Sequence, residues 1–191
     1  MVFYYQLAEL KPEDNIVLEI KDAAGILVRR IQSTADSNYH RYDGGPPPAP
    51  KLPKAKGLNR FVWDLRYAIM PGARGVYIEG SYRGHKAIPG NYTITLTAGN
   101  QTVSTRAEIL ANPLYTVDAA NYKSYDQFMR ETESNFTTML THVNTLHAKH
   151  EQLESLLKNL PAEEKFKGIR QEAQSLKDRI SKWDEEMMQR K

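Results

Sequence analysis

The fold is decided by the stretch Gly57-Leu58-Asn59-Arg60-Phe61-Val62-Trp63-Asp64-Leu65-Arg66-Tyr67. In an extended chain Phe61, Trp63 and Leu65 share one face, and the residues between them share the other. This alternation predicts a half-buried β-strand with an aromatic core anchor. We therefore expect Trp63 to lie in the core; the alternative, an exposed ring that stacks on a sugar, fits its phase less well.

Segments with the same two-residue period lie on both sides of this stretch. They occur at residues 3–7, 16–20, 26–31, 76–79, 92–97 and 103–109. Gly25 and the pair Gly99-Asn100 supply the turn chemistry of two hairpins. With the central strand the count is about seven, which predicts an all-β sandwich of immunoglobulin or fibronectin III type.

Residues 32–56 form a polar, proline-rich segment with no hydrophobic period, so we expect a long surface loop. Its part from Pro47 to Pro53, with Lys51 and Lys54, also matches a polyproline ligand for an SH3-like partner. The simpler interpretation is an ordinary connection between strands.

The hydrophobic period changes from two to about three and a half after Asp118, which predicts a long helix. Its early part, up to about residues 132–134, is expected to pack on the sandwich or to form a separate short helix. A second helix is predicted near Pro161, with an apolar seam at Phe166, Ile169, Ala173, Leu176, Ile180, Trp183 and Met187. The expected domains are therefore a β-sandwich at 1–112 and an α-helical hairpin, coiled-coil-like, at 113–191. The same seam leaves a weak homodimer through the helices as the alternative.

Composition narrows the classes of function. The 191 residues carry a formal net charge of only +3, and the basic residues are scattered, so nothing indicates a nucleic-acid partner. The absence of cysteine excludes disulfides and thiolate metal sites. No apolar run reaches the length of a membrane span, and the first residues lack the features of a signal peptide. We expect either a cytosolic protein or a segment of a longer exported chain.

Three motifs in order are fairly specific for a known arrangement. They are the central stretch 58–67, residues 17–25 upstream and residues 87–97 downstream. Over residues 3 to about 130 the chain resembles the C-terminal region of large bacterial proteins whose N-terminal part is a sortilin-type β-propeller with Asp-box repeats, often labelled glycosyl hydrolases. In that family the region is an immunoglobulin-like sandwich, similar to the flagellar hook-cap type, followed by helices.

The resemblance implies a non-catalytic structural or interaction module in a periplasmic or extracellular protein. Its partner would be the N-terminal β-propeller of the parent chain. The Asp-box pattern itself is absent, and Asn112-Pro113-Leu114 stands where the family tends to carry Asp-Pro-Arg, so no catalytic residue is transferred. The alternative is a carbohydrate-binding accessory module of a glycoside hydrolase.

Candidate site residues are few. Tyr77 and Tyr82 lie in or beside loops with Arg74 and Arg83, an aromatic and basic mixture that suits a ligand-binding surface. The alternative is that these tyrosines cover the edge of the sandwich or contact the propeller. Asp64 and Arg66 are more simply a surface charge pair, or an arginine that closes a loop by hydrogen bonds, than a ligand site. His142, His147 and His150, with nearby glutamates, lack a convergent further ligand, so we expect no metal. No serine, histidine and acid set and no phosphate loop is present, and we expect no cofactor and no catalytic residue.

Overall fold

The structure, a computed structural model, describes residues 1–37, 39–76 and 80–188. Within these ranges six strands form two antiparallel sheets, and two long helices follow. The elements are β1 (Val2–Leu7), β2 (Ile16–Lys21), β3 (Leu27–Gln32), β4 (Gly57–Val62), β5 (Gly90–Ala98), β6 (Gln101–Ile109), α1 (Ala119–Asn159) and α2 (Lys167–Met187). The predicted sandwich followed by a helical hairpin is confirmed in outline. The edge strand predicted at 76–79 lies, except for Val76, outside the described residues.

The apolar faces of the two sheets supply one hydrophobic core. The smaller sheet pairs β1 with β4, and the larger has the order β3-β2-β5-β6. The core contains Leu7, Ile16, Leu18, Ile20, Val28, Ile31, Leu52, Phe61, Trp63, Tyr67, Ala87, Tyr92 and Ile94. Trp63 is 2% exposed and meets the ring of Tyr92 edge-on, with centroids 6.1 Å apart. The prediction that Trp63 is a core residue is confirmed.

The central stretch is shorter as a strand than its alternation predicts. β4 ends at Val62, and the chain bends at Leu65, whose φ of 59° lies in the left-handed region. The indole Nε1 of Trp63 donates to the carbonyl oxygen of Arg66 at 2.9 Å, and the carboxylate of Asp64 accepts from the backbone N–H of Arg66 at 3.3 Å. Asp64 therefore stabilises the turn. The guanidinium of Arg66 donates to the carbonyl oxygen of Gly84 at 3.0 Å, so of the two predicted interpretations the structure has the arginine that closes a loop by hydrogen bonds.

After the bend the chain pairs again, with a different partner. The backbone N–H of Tyr67 donates to the carbonyl oxygen of His85 at 3.0 Å, and that of Ala87 donates to Leu65 at 2.8 Å. Burial returns at Tyr67, in phase with Trp63 and Phe61. Because the side-chain period continues through the bend, the sequence presents one long strand where the structure has two short paired segments.

Both predicted hairpins are present, and their turns use glycine for the expected reason. Gly25 joins β2 to β3 with φ of +79°, and Gly99 joins β5 to β6 with φ of +56°. These values favour glycine because a side chain is strained in the left-handed region.

The proline-rich connection is not only a surface loop. Leu52 is 3% exposed and belongs to the core, and its backbone N–H donates to Gln32 at 3.0 Å. The ammonium of Lys54 donates to the carbonyl oxygens of Pro12 and Asp14. The expected surface loop is therefore anchored in the core at one point, because a single leucine without periodicity is enough to hold it.

The chain divides into two compact units, and α1 contributes to both. Unit 1 comprises residues 1–40, 47–70 and 83–133, and unit 2 comprises residues 41–46, 71–82 and 134–191. The early part of α1 thus belongs with the strands, as expected, although the helix is continuous. The expected domains 1–112 and 113–191 remain a prediction.

In unit 2 the last turn of α1 is capped by a side chain of α2. The guanidinium of Arg170 donates to the carbonyl oxygens of Leu160 at 2.5 Å, Pro161 at 3.1 Å and Leu157 at 3.4 Å. Leu157 lies in the last turn of α1, whose final carbonyl groups have no partner within the helix, and Leu160 and Pro161 directly follow the helix. The predicted seam of α2 is only partly buried: Ala173 and Ile180 are covered, whereas Ile169 and Leu176 are 51% and 45% exposed.

Candidate functional site

Unit 1 contains a cluster of buried and partly buried polar side chains, which we call the histidine cluster: Asp22, Tyr67, His85, Asp126, Arg130 and Glu133. Pairing of residues 65–67 with 85–87 brings Tyr67 and His85 together. Gly84 permits this approach, because a Cβ there would lie 2.6 Å from the carbonyl oxygen of Ala68 and 2.7 Å from the backbone of Tyr67. The acidic and basic members on α1 follow at intervals of four and three residues, which places them on one helix face.

His85 is enclosed by carboxylates on both sides. Its side chain is 1% exposed; Nδ1 lies 2.9 Å from Oε2 of Glu133, and Nε2 lies 3.1 Å from Oδ1 of Asp126. Its backbone N–H also donates to Glu133, at 2.6 Å, and its ring stacks on Tyr67 with centroids 4.0 Å apart. Both ring nitrogens are engaged, which favours a positioning role over proton transfer to a ligand.

Arg130 connects the cluster to the turn between β2 and β3. Its Nε lies 2.7 Å from Oδ2 of Asp126, and its Nη2 lies 2.6 Å from Oδ2 of Asp22. The other oxygen of Asp22 accepts from the backbone N–H groups of Ala24 at 3.0 Å and Ile26 at 2.8 Å. The carboxylate of Asp22 therefore stabilises the turn between β2 and β3 and also binds Arg130 of α1.

Tyr67 is the aromatic member of the cluster. Its hydroxyl donates to Oδ1 of Asp126 at 3.0 Å, and the guanidinium of Arg130 lies 5.1 Å from its ring centroid. Burial, followed by the charge of Asp126, raises the pKa of Tyr67 well above its usual value, so the phenol stays protonated. Behind it the buried Arg29 donates to the carbonyl oxygen of Tyr67, and burial lowers the pKa of Arg29.

A cleft of about 910 Å³ lies beside the cluster in unit 1. Its walls are Asp22, Ala23, Ala24, Ile26, Ile88, Pro89, Gly90, Asn91, Tyr92, Lys123, Asp126, Gln127, Arg130 and Glu131. The hydroxyl of Tyr92 donates to the carbonyl oxygen of Ile88 at 2.6 Å, and burial raises the pKa of Tyr92 to about 12. Arg130 is held in two ion pairs, so this cation stabilises the wall of the cleft.

The four predicted ligand-binding residues remain a prediction as a site, and the structure describes three of them. Tyr82 is 4% exposed, so its ring offers little free face for stacking. Arg74 lies in unit 2, where its backbone N–H donates to Asn144 and its guanidinium lies 3.4 Å from Glu151. Arg83 is exposed and belongs to unit 1. Tyr77 lies outside the described residues.

Two of the three histidines of α1 lie close to polar side chains. His147 lies 3.7 Å from Glu151, and Nε2 of His150 lies 3.1 Å from the hydroxyl of Ser181. Across residues 1–37, 39–76 and 80–188, no group of three or more His, Cys, Asp or Glu side chains is placed to hold a metal ion.

The smaller sheet presents an apolar surface, which we call the outer β1–β4 face. It is formed by Val2, Tyr4, Leu58 and Val62, which are 43%, 64%, 73% and 50% exposed. The register places Val2 opposite Val62, Tyr4 opposite Arg60 and Gln6 opposite Leu58, so all these side chains share one side of the sheet. Exposed apolar patches of this kind mark interaction surfaces.

Sequence reasoning missed both the histidine cluster and the outer β1–β4 face. The face had a signal, because Tyr4 and Val62 are apolar at positions whose phase is opposite to that of the core residues. The cluster had almost none, since its members come from segments far apart in the chain.

Comparisons with known protein families, with curated proteins and with solved structures find no match for this chain. Among the described residues, neither helix combines the length and the apolar character needed to cross a membrane.

Proposed function

We propose that this chain is a non-catalytic structural and interaction module that forms the C-terminal part of a larger exported protein with an N-terminal β-propeller. The protein would act in the periplasm or outside the cell. The sequence resemblance supports this assignment, and the outer β1–β4 face is the observation that carries it.

The outer β1–β4 face suits a partner domain. Leu58 and Tyr4 are 73% and 64% exposed. Burial of these side chains against a partner removes apolar surface from water and so favours association. Opposite them are a neutral amide, Gln6, and one cation, Arg60. An apolar patch with a single charge is typical of the centre of a protein interface.

The histidine cluster supports a structural interpretation of the buried polar residues. The side chain of His85 is 1% exposed, and both of its ring nitrogens face carboxylates of α1. A network of hydrogen bonds and ion pairs of this kind fixes the position of a helix on a sheet.

The test uses the polypeptide encoded upstream of Met1 in the native gene, produced separately as the partner. The double variant Leu58→Asp with Val62→Asp places two charges on the outer β1–β4 face without touching the core. We expect affinity for the partner, measured by calorimetry, to fall at least about tenfold, because charges oppose burial at an interface.

The matched control is Val103→Asp on β6, where a valine is 63% exposed on another part of unit 1. It should leave the affinity unchanged. Equal binding by the double variant and the unchanged chain, or a native gene that encodes no propeller upstream of Met1, would contradict the proposal.

The alternative, a carbohydrate-binding accessory module, has less support. The burial of Tyr82 removes one of the two tyrosines on which sugar stacking would depend.

A further inference from the structure

Strand β6 is a free edge of the larger sheet. The strand order ends with it, and its register with β5 runs unbroken from Gly90 opposite Ile109 to Ala98 opposite Gln101. Residues 101–106 are all exposed. Among the residues that the structure describes, no strand pairs with the outer side of β6. Nine residues of backbone therefore present an unpaired edge.

The hairpin turn fixes which backbone groups point outward. Gly99-Asn100 is a two-residue turn, so Ala98 and Gln101 form a hydrogen-bonded pair, and the odd-numbered residues of β6 bond to β5. The side chains agree, because Thr97 with Thr102 at 3.2 Å and Thr95 with Ser104 at 2.9 Å touch in the closer, non-hydrogen-bonded pairs. Residues 102, 104, 106 and 108 thus direct their N–H and C=O groups to the free side.

Two oppositely charged residues occupy positions of β6 whose backbone N–H and C=O groups point to the free side. Arg106 and Glu108 face Thr93 and Asn91 across β5, and neither forms an ion pair within the described part of the chain. The strand contains no proline and no bulge, the features by which free edges are commonly protected from pairing. What remains is a flat edge with one cation and one anion two residues apart.

We propose that two copies of this chain associate by antiparallel pairing of β6 with β6, with the two-fold axis at Ala107. Arg106 of each copy then faces Glu108 of the other, and both positions use their outward backbone groups in the new ladder. Thr105 faces Ile109 of the second copy, a β-branched pair on the other side of the sheet. The larger sheets of the two copies become one continuous sheet of eight strands.

The charges of β6 favour this register, and they favour a second copy of the chain as the partner. In any such dimer the outward N–H and C=O groups of one copy must pair with those of the other. The two-fold registers next to the proposed one therefore have their axes at residues 105, 106 or 108. Centring on Arg106 or Glu108 places a charge opposite its own copy, and centring on Thr105 places Arg106 opposite Ser104. The axis at Ala107 gives two opposite-charge pairs, which is complementarity of the chain with itself.

The experiment is sedimentation velocity on the full chain over a range of concentrations, with Arg106→Glu, Glu108→Arg and the double exchange. We expect the unchanged chain to form dimers. Each single reversal converts two attractive pairs into two repulsive ones, so the dissociation constant should rise about tenfold or more. The double exchange restores opposite charges and should return the constant to within about threefold of its original value.

Two further variants on α2 test whether the dimer forms through β6 and not through α2. Glu172→Arg reverses an exposed charge on α2 and should leave the dimer unchanged. Ile169→Asp with Leu176→Asp places charges on the exposed apolar side of α2, and it should also leave the dimer intact. A monomer at every concentration, a dimer that ignores the β6 charges, or a dimer lost only with the α2 variant would each overturn the proposal.

Discussion

Gly84 lies where two extended segments approach too closely for a side chain. A Cβ at this position would lie within 2.7 Å of the backbone of Tyr67 and the carbonyl oxygen of Ala68. Backbone atoms give way less easily than the end of a flexible side chain, so the restriction is strict. The residue after it, His85, takes its place in the histidine cluster from the same pairing.

Gly84→Ala should destabilise the protein by about 1–3 kcal/mol, because the added methyl group forces the paired segments apart. The change is measured by urea denaturation followed by circular dichroism. Gly80→Ala is the control: a Cβ at Gly80 meets nothing within 4 Å. A loss of stability equal in the two variants would contradict the steric explanation.

The buried phenol of Tyr92 gives stability a dependence on alkaline pH. The pKa of Tyr92 is raised to about 12 in the folded chain by burial. An unfolded tyrosine loses its proton near about pH 10. Above that pH the unfolded chain binds fewer protons than the folded one, so this contribution to stability is complete below pH 10 and is lost as pH rises toward 12.

Tyr92→Phe should lower stability near neutral pH by about 1 kcal/mol, since the hydrogen bond to Ile88 is lost. Between pH 10 and 12 its unfolding free energy should fall less steeply than that of the unchanged chain. Urea denaturation at several pH values checks this. Parallel curves for the two proteins would show that Tyr92 does not titrate differently on folding.

At the scale of elements, the sequence predicted what local chemistry determines. The hairpins followed from alternation together with Gly25 and Gly99, whose positive φ is a local requirement. The end of β4 was missed, because the bend at Leu65 keeps the side-chain period and only the hydrogen bonds change partner. The half-exposed seam of α2 was missed as well, since periodicity shows which side is apolar and not how much of it is covered.

The cap at the end of α1 was not predictable from spacing, yet it is testable. Arg170→Ala removes the donors for three carbonyl oxygens of residues 157–161 and should destabilise the hairpin by about 1–2 kcal/mol. Urea denaturation followed at 222 nm measures the loss. Arg179→Ala, an exposed arginine of the same helix, should change stability by less than about 0.5 kcal/mol. Equal effects would mean that the cap contributes nothing.

At the scale of the whole molecule, the candidate site belongs to unit 1 alone. The core of the two sheets, the histidine cluster and β6 all lie within residues 1–40, 47–70 and 83–133. The sequence suggested a break near residue 112, where strands give way to helix. The length of the first predicted helix already suggested that its early part packs on the strands. The contacts that hold it there could not be predicted, because Asp126 and Arg130 meet Tyr67 and Asp22, which lie far upstream.

A chain ended after Glu133 should therefore retain both sheets and the cluster. Dispersed amide resonances and a near-ultraviolet dichroism signal from Trp63 would show this. Replacing His85 by Ala in the shortened chain should lower its unfolding free energy by about 2–4 kcal/mol, because Glu133 loses the imidazole it faces and Asp126 loses one of its three partners. A shortened chain without fixed tertiary structure would contradict the autonomy of unit 1.

The carboxylate of Asp22 also imposes an order on events during synthesis. Its Oδ1 accepts from Ala24 and Ile26, which leave the ribosome almost together with it. Its Oδ2 pairs with Arg130, which is synthesised 108 residues later. At ordinary elongation rates this separation corresponds to a delay of roughly 5–20 s. The nascent chain thus carries a finished turn with one oxygen still facing water, and the helix that completes it arrives only after every strand has been made.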